Sequence, residues 1–284
     1  MIYASLNGNI LPLEEVKILA QSRAAYYGDG CFELLRSYQG RFVALDRHID
    51  RLKAGMEYLG IKIPSAFTEH YFAHIIEKLL DRSELNDIDA RIRIQVWRNG
   101  KPGYVTEKMS RGSFLITVAP IVQRIRSLKL AIVEQNMIPN ELLNTSFKLS
   151  NGIHYILAER QAAEAGADSA LMLTTKSYIS QEVNSNIFWL KGNVIFTPSV
   201  ECDILPGISR QILIDVLTEE NNYDLVTGKF TIDDLDDAES VWLTNSVNEI
   251  LPVSVINENT YCIDNDDFIK IRKLFKDRIR YLWL

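Results

Sequence analysis

The chain has 284 residues, of which 47% are apolar and 24% are charged, and its net charge is −6 with an isoelectric point near 5.4. This balance is typical of a soluble globular protein, excludes a disordered or fibrous chain, and allows two domains. An acidic chain without a run of lysine or arginine lacks the electrostatic footprint of a nucleic-acid-binding protein, so no nucleic acid partner is expected.

The features of the sequence that report on location favour the cytoplasm. The first residues show no basic segment followed by an apolar run, and no window of about 18 apolar residues occurs, so neither a signal peptide nor a membrane span is expected. The cysteines Cys31, Cys202 and Cys262 are far apart and form no CxxC pair. We expect three reduced thiols in a cytoplasmic protein.

The first half begins with a short predicted strand, a turn at Asn7-Gly8, and then a helix from Asp46 to Gly60. Asp46 is the expected N-cap, Gly60 is the expected end, and the apolar residues at 49, 52, 56 and 59 share one face. A second helix is predicted over residues 65–82. It carries His70 and His74, but the nearby glutamate lies outside that pair and no third ligand suggests itself, so no metal site is predicted.

The segment ARIRIQVWR, residues 90–98, alternates strictly between apolar and polar positions. That pattern predicts a strand with one apolar face and one cationic face, which carries Arg91 and Arg93. Another strand is predicted over residues 113–119. The segment from Pro120 has no clear period, and we place a domain linker at residues 120–127.

The second half also mixes both kinds of element. The predicted strands are LKLAIVE, SALMLTT, a hairpin NIFWL-KGN-VIFTP, ESVWLTNS and PVSVI, and the predicted helices start near Ile153, after LPG and at Asp266. We therefore expect two α/β domains, a smaller one over residues 1–119 and a larger one over residues 128–284. A cleft between two such domains is the usual place for a ligand.

Three features suit a phosphate group. In LPGISRQ, a glycine followed by the first turn of a helix leaves the backbone N–H groups of Ile208 and Ser209 without partners. Asn245 and Ser246 follow a predicted strand, where α/β domains commonly place ligand contacts. Arg51 could add a charge. Each feature alone is more often an ordinary loop, a polar turn or a solvated arginine.

Lys148 lies in FKLSNGIHY, before a predicted helix. A lysine is most often a solvated surface charge. Close to candidate phosphate contacts it can instead bind an aldehyde cofactor covalently, as pyridoxal phosphate requires. That cofactor also needs a cradle for its phosphate and a partner for its ring nitrogen.

At this point nearly the whole chain resembles the fold-type IV pyridoxal-phosphate enzymes, or class IV aminotransferases. That family includes branched-chain and D-amino-acid transaminases and 4-amino-4-deoxychorismate lyase. Five blocks match its motifs in order: YYGDGCFELLRSYQGRFVALDRHIDRL, FKLSN, SNIFWLKGNVIFTP, LPGISR and SVWLTNSVNEILPV. The resemblance implies a two-domain α/β (α+β) architecture with pyridoxal 5'-phosphate at the domain interface, in the larger C-terminal domain, and a homodimer.

The resemblance also implies roles for individual residues. Lys148 would bind the cofactor and shuttle the substrate's α-proton. Arg51 would bind the cofactor phosphate together with the N–H groups of Ile208 and Ser209, and with the Asn245-Ser246 turn. By our own inference rather than by motif, Arg93 could meet a substrate carboxylate.

The sequence departs from the family at two positions. Members usually place a glutamate five residues before the asparagine of the N-[IL]-F motif, where it keeps the pyridine nitrogen protonated. Counting back from Asn186 gives Gln181, and Glu182 is next. Neighbouring strand residues face opposite sides, so Glu182 could substitute only if the backbone bulges, and Gln181 is the favoured partner. Ile153 stands where the branched-chain group has a tyrosine, five residues after its lysine.

The sequence therefore predicts an enzyme that transfers an amino group between an amino acid and a 2-oxo acid. Two alternatives stay open. One is lyase chemistry on aminodeoxychorismate, which releases pyruvate and 4-aminobenzoate. The other is a cofactor-binding protein with weak turnover, because Gln181 replaces the usual glutamate.

Overall fold

The computed structural model describes residues 1–121 and 126–282. The chain forms two compact units, the first from residues 1–121 and 147–151 and the second from residues 126–146 and 152–281. Residues 122–125 of the expected linker lie outside the described residues.

Three helices and six strands make up the first unit. They are β1 (Tyr3–Leu6), β2 (Asn9–Pro12), α1 (Arg23–Tyr27), β3 (Gly30–Tyr38), β4 (Arg41–Phe42), α2 (Leu45–Tyr58), α3 (Glu69–Arg82), β5 (Ala90–Arg98) and β6 (Gly112–Pro120). The strands form one antiparallel sheet in the order β2-β1-β6-β5-β3-β4. Helices α2 and α3 bury their apolar faces against this sheet, and the aliphatic and aromatic residues between them form its core.

The apolar periodicity predicted for these elements is confirmed, and one cap prediction is wrong. Ile49, Leu52 and Met56 of α2 are each 1% exposed. Asp46, however, lies in the first turn of α2, because the N-cap is Ala44, at φ +49°, two residues earlier than expected. The helix then ends before Gly60, whose φ of +68° suits glycine.

Three helices and nine strands make up the second unit. They are β7 (Leu128–Ile132), α4 (Ile153–Glu164), β8 (Ser169–Leu173), β9 (Ile179–Glu182), β10 (Asn186–Lys191), β11 (Val194–Pro198), α5 (Ile208–Glu220), β12 (Asp224–Gly228), β13 (Ser240–Asn245), β14 (Glu249–Ile256), β15 (Asn259–Thr260) and α6 (Asp266–Tyr281). The sheet order is β12-β11-β10-β13-β14-β7-β8-β9, with β15 on β14. It is mixed, since β7 runs parallel to both β8 and β14 while β10 is antiparallel to β11 and β13.

A β-bulge lies in β9, close to the two candidate ring-nitrogen partners. Leu171 pairs with Glu182 and Met172 with Gln181, but Leu173 pairs with Ile179, so Ser180 is the extra residue. The bulge precedes Gln181, and the Gln181-Glu182 pair keeps the alternation of an ordinary strand. Within the described residues, none of the helices combines the length and apolar character that crossing a bilayer requires.

Candidate active site

Lys148 lies in the first unit, where its segment pairs with the start of β3. The N–H of Phe32 donates to the Lys148 carbonyl at 2.8 Å, and the N–H of Ser150 donates to the Gly30 carbonyl at 2.9 Å. Strand β4 pairs with β3 at Ser37 and Tyr38 and does not reach Gly30–Phe32. The lysine segment occupies that part of the β3 edge instead. The pairing fixes the Lys148 backbone on a rigid sheet.

Two cations lie near the ring of Phe32. The Lys148 Nζ is 5.3 Å from the ring centroid, and the guanidinium carbon of Arg93 is 3.7 Å from it. Both are within the range of cation–π attraction. Burial lowers the pKa of Arg93, and the neighbouring Arg91 adds to that effect. The structure thus brings together two of the predicted site residues, Lys148 and Arg93.

A hydrogen-bonded chain links Arg93 to the lysine segment. Gln95 Oε1 accepts from Arg93 Nη2 at 2.7 Å, and Gln95 Nε2 donates to Ser150 Oγ at 2.6 Å. Ser150 is two residues beyond Lys148. An anion placed at Arg93 would therefore be held relative to the lysine by a defined set of contacts.

Arg51 makes a two-pronged ion pair with the buried Glu33. Its Nε and Nη2 donate to the two Glu33 carboxylate oxygens at 2.7 and 2.8 Å, and His48 Nδ1 lies 2.7 Å from Oε2. His48 and Arg51 are three residues apart on α2, hence on one face of the helix. Glu33 and His48 both fall in the first motif block, but neither was among the predicted site residues.

The charges in this cluster are set by burial and pairing. Burial alone would raise the pKa of Glu33, but Arg51 and His48 outweigh it and hold that pKa at about 2. Burial lowers the pKa of His48, so its imidazole is neutral near pH 7 and its Nδ1–H donates to the carboxylate. Glu33 is therefore a fixed anion that orients Arg51.

The second unit contains a helix start that suits a phosphate group. Helix α5 begins at Ile208, no side chain caps it, and its first turn carries no acidic residue. The N–H groups of Ile208 and Ser209 therefore lack helical acceptors, and the helix dipole makes this end positive. Ser209, in the first turn of the helix, is buried.

The loop before α5 is fastened at Leu205. The N–H of Leu205 donates to Gln181 Oε1 at 2.7 Å, and Asn186 Nδ2 donates to the Leu205 carbonyl at 2.8 Å. A Cβ added to Gly207 would lie 2.2 Å from Asn186 Oδ1. Gly207 is therefore required for space, since its φ of −68° is open to any residue.

Thr244 and the turn after β13 lie next to this loop. Thr244 pairs with Asn186 across β10 and β13, so the two side chains share a face, and Thr244 Oγ1 is buried without a hydrogen-bond partner among the described residues. Asn245 Oδ1 accepts the N–H of Asn248 at 2.7 Å, and its Nδ2 donates to Ser185 Oγ at 2.9 Å. Asn245 thus stabilises the turn that presents Ser246.

Glu182 points to the opposite side of β9 from Gln181 and has partners of its own. Its Oε1 is 2.5 Å from Ser169 Oγ, and its Oε2 accepts the N–H of Asn184 at 2.9 Å. Burial raises the pKa of Glu182, and the nearby Glu159 adds to that effect. Ser169 and Glu159 were not predicted as partners of the site, because nothing in their spacing marks them, and Asn186 was known only as a motif position.

The chain was compared with known proteins. A family model described as amino-transferase class IV matches residues 30–256. A putative branched-chain-amino-acid aminotransferase of Methanocaldococcus jannaschii is 30% identical over 97% of this chain and 94% of its own length. An aminodeoxychorismate lyase of Bacillus subtilis is 29% identical over 92% of this chain and 88% of its own.

A similar solved structure is that of a branched-chain amino acid aminotransferase from Thermobaculum terrenum in its PLP-form. It matches with a TM-score of 0.87 at 20% identity and covers 99% of this chain and 97% of that chain. At this identity the likeness shows the fold, and the fold class predicted from the sequence is confirmed.

Proposed function

Since the chain belongs to the amino-transferase class IV family, we propose that it is a pyridoxal-phosphate-dependent aminotransferase that moves an amino group between an amino acid and a 2-oxo acid. The single observation that supports this most directly is the placement of Lys148. Its backbone is fixed by β-pairing with β3, and its amine lies beside the ring of Phe32 near Arg93.

The residues present fit the cofactor. The uncapped α5 start, the space kept open at Gly207 and the orphaned Thr244 hydroxyl suit its phosphate. When bound, the cofactor supplies an aldehyde that bonds to an amine and a ring that withdraws electrons from the substrate's α-carbon. Ile208 and Ser209 would donate backbone N–H groups to the phosphate.

The remaining phosphate contacts would come from side chains that the structure orients. Ser246 would add its hydroxyl, and the Asn245 turn holds that residue in place. Arg51 would add positive charge, since the Glu33 carboxylate fixes its guanidinium. Charge-assisted hydrogen bonds of this kind are the strong ones at phosphate sites.

Proton transfer would be carried by Lys148. Its Nζ would accept the α-proton of the bound amino acid. It would then donate a proton to the cofactor carbon that carried the aldehyde. Arg93 would hold the substrate carboxylate and so set the α-carbon within reach of that amine. Removing the charge of Arg93 should therefore raise KM for substrate more than it changes cofactor affinity.

Covalent trapping tests the role of Lys148. Purified protein with pyridoxal phosphate should show a visible absorption band, and borohydride should fix the cofactor to Lys148. Lys148→Ala should lose both, while the exposed Lys176→Ala should keep both. A trapped adduct that mass spectrometry maps to another lysine would remove Lys148 from this role.

Lyase chemistry on aminodeoxychorismate is the second candidate. It is favoured by the similarity to the Bacillus subtilis lyase and by Gln181, because a weaker electron sink matters less when elimination is driven by formation of an aromatic product. Incubation with amino acids in one sample and with 4-amino-4-deoxychorismate in another distinguishes the two. Bleaching of the visible band indicates transamination, and release of pyruvate with 4-aminobenzoate indicates the lyase.

We also propose a homodimer in the cytoplasm. In the second unit Ile153 and Ile156 of α4 are more than 60% exposed, and in the first unit Tyr104 and Val105 are more than 90% exposed. Large apolar side chains grouped in this way favour a protein partner. Light scattering of the purified protein tests the mass, and cell fractionation tests the location.

A further inference from the structure

We propose that Gln181 donates a hydrogen bond from its side-chain amide to the pyridine nitrogen of the bound cofactor and holds that nitrogen unprotonated. The inference rests on the proposed function, because it concerns the cofactor which that function requires. It differs from the usual arrangement of the family, in which a glutamate keeps the nitrogen protonated.

The orientation of the Gln181 amide follows from its partner. A backbone N–H can only donate, and the N–H of Leu205 lies 2.7 Å from Oε1. Rotating the amide by half a turn would place Nε2 against that N–H, with two donors facing each other. The oxygen is therefore committed to Leu205, and the NH2 group is the part of Gln181 that can meet a ligand.

The backbone of Leu205 is held in its orientation at both of its polar groups. Its carbonyl is held by Asn186 Nδ2 at 2.8 Å, so both polar groups at Leu205 are fixed by side chains of the same sheet. Asn186 is itself confined, because its Oδ1 abuts Gly207. The same contacts join Gln181 to the loop that leads into α5, so the proposed nitrogen partner and the phosphate turn form one connected structure.

The NH2 group of Gln181 needs an acceptor. Gln181 is 3% exposed, and no described residue accepts a hydrogen bond from its Nε2. An amide NH2 group can only donate, so a ligand atom with a free lone pair is favoured beside it. An unprotonated pyridine nitrogen has that lone pair. A protonated one is a donor and would be repelled.

Glu182 does not serve as the alternative partner. It lies on the other side of β9, because the bulge precedes Gln181 instead of separating the two residues. Its oxygens are already held by Ser169 and by the N–H of Asn184. The condition under which Glu182 could replace the usual glutamate is therefore not met.

The chemical consequence is a weaker electron sink. When the α C–H bond breaks, the proton passes to Lys148 Nζ and the electron pair stays on the substrate. A neutral ring withdraws that pair less strongly than a protonated ring, since the latter carries a positive charge. Transamination should be slow while covalent binding of the cofactor to Lys148 is normal.

The test uses holoenzyme loaded with pyridoxal phosphate that carries 15N at the ring nitrogen, and measures the 15N chemical shift. In the wild-type protein we expect the shift of an unprotonated, hydrogen-bonded pyridine from mildly acidic to mildly alkaline pH. Gln181→Glu keeps an acceptor for Leu205 and supplies a charge, so it should move the signal far upfield, as protonation does. Glu182→Gln is the matched control and should leave the signal unchanged.

A protonated nitrogen in the wild-type protein overturns the proposal. So does a Gln181→Glu signal that stays unprotonated, or a Glu182→Gln variant that shifts it. If Gln181→Glu fails to fold, Gln181→Met serves instead, and it should move the signal to that of a pyridine without a hydrogen bond; an unchanged signal overturns the proposal. Failure of the proposed function looks different, because amino acids would then leave the visible band of the wild-type holoenzyme unbleached, whatever the 15N signal shows.

Discussion

Arg51 uses two guanidinium nitrogens to hold the buried Glu33 carboxylate, at 2.7 and 2.8 Å. Removing Arg51 would therefore leave a buried anion without its main partner, quite apart from any effect on the cofactor. Breaking one side of a buried ion pair typically costs about 3–5 kcal/mol. We expect Arg51→Ala to lower the free energy of unfolding by about that amount in urea titrations, and the exposed Arg47→Ala on the same helix to lower it far less.

A second substitution separates stability from phosphate binding. In the double variant Arg51→Ala/Glu33→Gln no buried charge is left unpaired, so much of the lost stability should return. The dissociation constant for pyridoxal phosphate should nevertheless stay about tenfold or more above that of the wild type, since a hydrogen bond to a charged group contributes about 1.5–3 kcal/mol. An unchanged constant in the double variant would end the phosphate role of Arg51.

Gly207 allows a sharper test of the phosphate turn. Its backbone conformation is accessible to alanine, so the effect of Gly207→Ala would come from the Cβ placed 2.2 Å from Asn186 Oδ1. We expect the loop to shift and the affinity for pyridoxal phosphate to fall at least tenfold. Gly152→Ala, whose Cβ would be 3.3 Å from Tyr155, is the control and should change affinity little. Equal affinities for both variants would contradict the placement of the phosphate at α5.

At the scale of elements, β8, β9 and α4 are joined at Ser169, whose hydroxyl lies between two carboxyl groups. Ser169 Oγ lies 2.6 Å from Glu159 Oε1 and 2.5 Å from Glu182 Oε1, yet a hydroxyl has one proton. Two short contacts need two protons, so one of the two carboxyl groups must carry the second proton. Burial, with Glu159 next to it, raises the pKa of Glu182, so Glu182 retains its proton to a higher pH than an ordinary glutamate does.

The raised pKa of Glu182 predicts that the stability of the fold depends on pH. Above an ordinary glutamate pKa of 4.5 the unfolded chain loses a proton that the folded chain retains, so stability falls as pH rises toward the folded pKa of Glu182. The slope is at most about 1.4 kcal/mol per pH unit for one proton. Glu182→Gln imitates the protonated acid and should flatten this fall in urea titrations, whereas the exposed Glu164→Gln on α4 should preserve it. A wild-type slope in Glu182→Gln would place the proton elsewhere.

The elements that could be predicted from the sequence were those with a strong period or a clear turn signal. The second predicted helix was confirmed as α3, although it begins at Glu69 and not at residue 65, and the alternation of β5 was confirmed. The alternation of burial fails only at Trp97, and Arg98 lies in phase with the buried positions, where it pairs with Asp29. The start of α2 was misplaced because Ala44 adopts a positive φ, which is a conformation that its side chain does not signal.

The candidate site was predictable where a motif marks it and not where tertiary contacts make it. Lys148 and the α5 turn stand out in the sequence. The bond from Leu205 to Gln181 joins residues 24 positions apart, and its geometry depends on a bulge at Ser180 that no residue type announces. In the sequence Glu33 is one polar residue of a strand, and the fold shows that its carboxylate binds Arg51.

For the whole molecule, cofactor binding and stability should be coupled. A ligand that binds only the folded chain adds about 2.7 kcal/mol when its concentration is 100 times its dissociation constant. We expect pyridoxal phosphate to raise the urea midpoint, and Lys148→Ala to keep part of that gain through its phosphate contacts. Pyridoxal without phosphate should stabilise the Lys148→Ala protein far less. Equal effects of the two compounds would mean that the phosphate is not held.

The pairing of residues 147–151 with β3 has a consequence for synthesis of the chain. Translation completes residues 1–121 before the segment that lies along Gly30–Phe32 has been made. Until it arrives, the emerging polypeptide exposes the unpaired backbone of β3, and such edges recruit other chains. A gene cut after residue 121 would leave that edge open permanently and encode no Lys148. We expect its product to aggregate, and a version with residues 147–151 joined on by a flexible spacer to stay in solution longer.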